Sequence, residues 1–189
     1  MADTGWKFPG TGANRPIASQ VDWGNPGNVT ADDGSTAAVT MGTFGLSDGL
    51  AASNFDFSSI PAGSTIDGIE TRVGDYASFE PVIFVAGNLI LADDSDGSVS
   101  KHTELAEPSF FNTTDEMGGA AELWTETPTR TDVTDVDWGF FVAVQHFAVG
   151  IGNITVDFMQ MKVYYTAGAA ALTEPPLVHS FAVTRATNY

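Results

Sequence analysis

The sequence predicts an all-β fold, an antiparallel β-sandwich of jelly-roll-like type with extended N- and C-terminal arms. Three observations predict it. The 189 residues hold 20 Gly and 9 Pro but only 7 Lys plus Arg, a composition rich in turn formers and poor in helix formers. From Val21 to Thr166, short apolar runs alternate with turn clusters at the spacing of a sandwich. No segment sustains a helical period, whereas Met159, Met161, Val163 and Tyr165 alternate with polar residues such as Gln160 and Lys162, as a half-buried strand requires. With 43% hydrophobic and 11% aromatic residues, the chain can build one core of ordinary size. The expected organisation is an arm over residues 1–20, a sandwich over 21–166, and a linker with a strand-like tail over 167–189.

Residues 1–20 mix Gly, Pro, Asn and Ser around two isolated apolar anchors, Trp6 and Phe8. They read as an extended arm that either lies across a neighbouring subunit or folds back on its own domain. The stretch from Trp23 to Ile69 reads as turn, strand, turn and strand. Candidate strands are Ala37–Phe44, Ile66–Tyr76, Pro81–Ala86, Leu89–Leu91, Phe140–Gln145 and Val156–Tyr165. Pro61-Ala62-Gly63 is a reversal in which Pro fixes φ and Gly relieves strain. Gly68, inside the following strand, marks a bulge or a close backbone approach, and Gly87-Asn88 reads as a hairpin. The best helical candidate is a short turn over Asp132–Asp137. Beyond Thr166, Glu174-Pro175-Pro176 imposes an extended linker. The segment that follows, carrying Leu177, Val178, Phe181 and Val183, reads either as a strand seeking a sheet edge, in its own subunit or a neighbour, or as a frayed tail.

The chemistry-bearing residues do not assemble into an enzyme pattern. A formal charge of −17, from 24 Asp plus Glu against 7 basic residues, repels phosphate backbones and anionic lipid. Nucleic acid and membrane are therefore not expected partners, and no apolar run approaches the ~20 residues of a membrane-spanning helix. The absence of Cys removes thiolate chemistry and disulfides. His102, His146 and His179 lack paired zinc-ligand spacing, and Ser59 and Ser64 lack a nucleophile elbow. The turns Asp32-Asp33-Gly34 and Asp93-Asp94-Ser95-Asp96-Gly97 read as solvated carboxylates. Calcium at Asp94 and Asp96 is the lesser alternative, since the downstream bidentate Glu of a calcium loop is missing. No catalytic residue, cofactor or metal is expected. Among the aromatics, Trp138 lies in an apolar run and reads as core. Trp124, beside Thr125, Glu126 and Thr127, reads either as core or as a platform for stacking on a sugar.

Several blocks occur together in order: Trp23-Gly24-Asn25-Pro26-Gly27-Asn28, Phe55-Asp56-Phe57, Ile60-Pro61-Ala62-Gly63-Ser64-Thr65-Ile66-Asp67-Gly68-Ile69, Glu122-Leu123-Trp124, Trp138-Gly139-Phe140-Phe141-Val142 and Val163-Tyr164-Tyr165-Thr166. The pattern resembles a module of tailed-bacteriophage virion proteins, minor tail or head-decoration components. It covers residues 21–166, with Thr125 standing where such modules carry Gly and residues 80–119 outside the match. The resemblance implies a capsid decoration or cement protein, made in the host cytoplasm and carried on the virion. It would bind other virion proteins, the major capsid protein or tail subunits, and form a homo-oligomer. Trp6, Phe8, Leu177, Val178, Phe181 and Val183 would be its contacts. The alternative is a carbohydrate-binding adhesion module of a phage tail or cell surface, acting through Trp124.

Overall fold

Alternation of buried and exposed side chains sorts the strands into two antiparallel sheets facing each other. The structure is a computed structural model, and it describes residues 1–17 and 20–168. The described strands are β1 (Ala2–Asp3), β2 (Pro9–Arg15), β3 (Ala37–Met41), β4 (Gly49–Phe55), β5 (Thr65–Ser78), β6 (Val82–Ile90), β7 (Asp96–Ser100), β8 (Thr113–Gly119), β9 (Gly139–His146), β10 (Gly152–Val156) and β11 (Phe158–Thr166). One sheet runs β1-β11-β5-β10-β3, with β8 also paired to β5. The other runs β2-β4-β9-β6-β7. β10 and β11 form one path interrupted at Asp157, and both pair with β5.

The core fills the space between the sheets. From the first sheet come Val39, Met41, Ile69, Val73, Met117, Met159, Met161 and Val163; from the second come Leu50, Ala52, Phe84, Leu89, Phe140, Val142 and Val144. Full burial of such side chains contributes about 1.5–3 kcal/mol each. Three tryptophans, Trp23, Trp124 and Trp138, close the edges of this core and are buried. The alternation expected of the last strand holds: Met159, Met161 and Val163 point inward, while Lys162 turns to the outer face.

Several local readings need correction. The Gly87-Asn88 reversal does not form, because β6 continues through it to Ile90. Gly87 is needed for space instead: a Cβ there would stand 2.7 Å from Met117 Sδ and 3.2 Å from the His102 backbone nitrogen. The chain turns later, near Asp94, whose φ is +61°. β3 stops at Met41 rather than at Phe44, which takes φ +54° in the next turn. At Gly68 both anticipated features occur. The β5–β11 register shifts beside it, and a Cβ would meet the Gly119 carbonyl at 2.3 Å.

The N-terminal segment takes the second of its two alternatives and folds home. β2 pairs with β4 along its length, and β1 pairs with β11. Asn14 fixes the return of the chain, accepting from Trp23 N at 2.8 Å and donating to Trp23 O at 3.0 Å. Trp23 Nε1 in turn donates to Asp48 O at 2.9 Å.

The helical turn lies at Arg130–Val133, slightly earlier than the sequence suggested. Thr129 and Asp132 explain the placement, since each side chain accepts from the other's backbone N–H in a capping box. Thr129→Ala is expected to cost about 1 kcal/mol, read as a lower urea midpoint at unchanged m value.

Candidate docking surface

Strand register brings four connections to one end of the sandwich. β9 ends at His146 opposite Val82, the first residue of β6. β10 begins at Gly152 opposite Met41, the last of β3, and β8 begins at Thr113 opposite Tyr76. The connections around residues 42–45, 79–81, 107–112 and 147–151 therefore gather there. Hydrogen bonds join them: Gly150 N donates to Thr43 Oγ1 at 3.0 Å, Phe147 N to Pro81 O at 3.3 Å, and Ser78 N to Ser109 O at 2.8 Å.

This end is apolar. Seven of the eleven large, well-exposed hydrophobic side chains among the described residues lie here: Phe44, Phe79, Phe110, Phe111, Phe147, Val149 and Ile151, from 43% to 86% exposed. Phe79 meets Phe110 edge-on, with ring centroids 4.6 Å apart, and Phe110 meets Phe111 at 5.8 Å. A scattered exposed Leu or Phe needs no explanation, but a contiguous aromatic patch marks an interaction site.

The patch stands on a fixed base. Tyr76 Oη donates to Asp115 Oδ2 at 2.5 Å and lies 3.1 Å from the Ala106 carbonyl, while Ala106 N donates to the same carboxylate oxygen at 2.8 Å. Burial, then the hydrogen bond and charge of Asp115, push the Tyr76 phenol well above its usual range, so it remains a donor at any physiological pH. Glu104 ties down the start of the same connection by accepting from Lys101 Nζ at 2.8 Å and from Gly118 N at 2.7 Å. The Lys101 and Gly118 donors outweigh the effect of burial and hold the Glu104 carboxyl below its ordinary range.

The opposite end is acidic. Asp93, Glu126 and Asp132 line a cleft of about 410 Å³ with Leu91, Thr127 and Trp138. Each of these carboxylates is already engaged within the fold, Asp93 accepting from Ser95, Glu126 from Ser98, and Asp132 from Thr129. The calcium reading of the neighbouring turn fails because Arg15 occupies it. The guanidinium donates to Asp94 Oδ1 and Asp96 Oδ1, each at 2.6 Å. One oxygen of each carboxylate is thereby already engaged by a fixed cation.

The contact residues inferred from sequence are dispersed. Trp6 lies on the outer face of its own sheet, its ring centroid 3.9 Å from the Arg72 guanidinium carbon and 4.3 Å from Lys162 Nζ, so it is already engaged at home. Phe8 packs edge-on against Phe158 at 6.1 Å. Leu177, Val178, Phe181 and Val183 fall outside the described residues. Trp124 contradicts the sugar-stacking alternative: it is 1% exposed and its Nε1 donates to Ile69 O at 3.1 Å, which leaves no ring face for a sugar. The sequence did carry a signal for the patch that was missed, the pair Phe110-Phe111 set between Pro108-Ser109 and Asn112 with no strand period to bury it.

Fold and surface together define a β-sandwich whose two ends differ, one apolar and one acidic. Compared with known proteins, the chain matches no family model, no curated protein and no solved structure.

Proposed function

We propose that this protein is a bacteriophage virion structural protein, a decoration or cement subunit that docks through the apolar end of its sandwich onto a neighbouring virion protein. The observation that carries the proposal is the one-ended patch. Seven large apolar side chains share four hydrogen-bonded connections, while the rest of a strongly acidic molecule favours water. Strand order adds support. The runs β3-β10/β11-β5-β8 and β4-β9-β6-β7 fit a jelly roll, in which successive strands from β3 onward cross between sheets except at the β6–β7 hairpin and the β10–β11 break. The contact therefore moves from the arms to these loops. A partner must offer an apolar surface with a rim that is not acidic, because two chains of charge −17 repel wherever apolar contact does not offset it. Multiple copies on a lattice would strengthen each weak contact.

An antibody raised against the purified chain tests the reading on particles banded from lysates of cells that carry the sequence. The chain is expected to co-band with particles and to be labelled at regular positions on them. Recovery of the chain wholly in the soluble fraction overturns the proposal.

A further inference from the structure

Three carboxylates from distant segments converge where β10 gives way to β11. Asp157 occupies the interruption itself, Asp75 lies near the end of β5, and Asp32 stands in the turn after Pro26–Thr30. One oxygen from each lies within 4.8 Å of the other two. Asp157 is 4% exposed. Its Oδ2 accepts from Gly34 N at 3.1 Å, while its Oδ1 is buried and has no hydrogen-bond partner. No Lys or Arg forms an ion pair with any of the three among the described residues. A buried carboxylate with one unpaired oxygen and two like charges close by is costly unless something positive joins it.

We propose that Asp32, Asp75 and Asp157 bind a hard divalent cation, with Ca²⁺ preferred. The donors are all oxygen, which suits calcium and magnesium rather than the softer metals that His and Cys attract. Coordination flexibility then favours calcium: Ca²⁺ accepts about 6–8 oxygens in irregular geometry, whereas Mg²⁺ demands a near-ideal octahedron and keeps most of its waters. Asp75 is held in place by the bulge between β5 and β8, with φ +47° and its N–H donating to Thr114 Oγ1 at 3.2 Å. A bound ion would clamp the 31–36 turn and β5 onto the strand break. The inference is independent of what the apolar end contacts.

Thermal unfolding of the full chain, stripped with EDTA and then given CaCl₂ or MgCl₂ at fixed ionic strength, tests the site. Ca²⁺ is expected to raise Tm by about 5 °C or more, and Mg²⁺ by less. Asp32→Asn and Asp75→Asn should abolish the Ca²⁺ shift yet raise Tm in EDTA, because each relieves repulsion; Asn also tolerates the positive φ at position 75. Asp93→Asn, an exposed carboxylate outside the cluster, should keep the full shift. Absence of a wild-type shift overturns the proposal. So does a shift retained by either cluster variant, or one lost equally in Asp93→Asn, since these mean diffuse counterion binding to an acidic surface.

Discussion

Replacing Trp124 by alanine is expected to lower folding stability by about 3–5 kcal/mol, a large share of the roughly 5–15 kcal/mol typical of a domain. The ring is buried at the edge of the core, and several neighbours are arranged around it. Gly118 adopts φ +84°, and a Cβ there would stand 2.5 Å from Trp124 Nε1, so the glycine makes room for the indole. Lys101 Nζ lies 5.7 Å from the ring centroid. Trp124 and Thr125 themselves take φ of +56° and +63°, a conformation that costs free energy in non-glycine residues and persists because the inserted ring holds it. Alanine would keep the backbone penalty and lose the packing. Trp124→Phe should cost less, since it retains most of the apolar volume and gives up the hydrogen bond to Ile69 O, worth about 0.5–1.5 kcal/mol. Urea titration followed by circular dichroism checks both. A loss below about 1 kcal/mol for Trp124→Ala would mean that the ring is not part of the core, and would reopen the sugar-stacking alternative.

The sequence revealed the strands that carry their own apolar period and hid those that borrow stability from partners. β11 was legible because its inward residues repeat at every second position, and β9 because Phe140 to Val144 is a continuous apolar run. β2, with the sequence Pro-Gly-Thr-Gly-Ala-Asn-Arg, has almost nothing to bury. It is a strand because β4 supplies its ladder and because Asn14 and Trp23 lock the return. β7 and β8 are likewise edge segments, Asp-Gly-Ser-Val-Ser and Thr-Thr-Asp-Glu-Met-Gly-Gly, with little apolar period of their own, held by pairing with β6 and β5 respectively. Gly87 misled because a glycine that admits a neighbour's side chain looks the same in sequence as one that turns the chain. The candidate sites were hidden for the same reason. Phe79 and Phe110 lie far apart in the chain, and Asp32, Asp75 and Asp157 belong to three segments. Only the pairing of β5 with β8, β10 and β11 makes either group local.

Substituting serine at Phe79, Phe110 and Phe111 together should abolish docking while leaving the fold standing. These rings are 69%, 65% and 77% exposed, so their removal opens no cavity in the core. The folded chain loses the edge contacts Phe79–Phe110 and Phe110–Phe111, worth about 0.5–1.5 kcal/mol each. The effect on binding is of a different size. Aromatic anchors at the centre of a contact carry about 2 kcal/mol or more apiece, so losing three should weaken association by at least roughly 100-fold even without additivity. Sedimentation of wild-type and triple-variant chains with purified particles measures the association, and urea midpoints measure the fold. If docking falls while the variant still unfolds cooperatively, with a stability loss no larger than those edge contacts account for, the apolar end is the contact surface. If the variant still binds particles at full occupancy, the contact lies elsewhere and the apolar end has another role. Trp6→Ala separates fold from docking: its ring is engaged with Arg72 and Lys162 of its own sheet, so its loss should lower stability modestly and leave particle association unchanged.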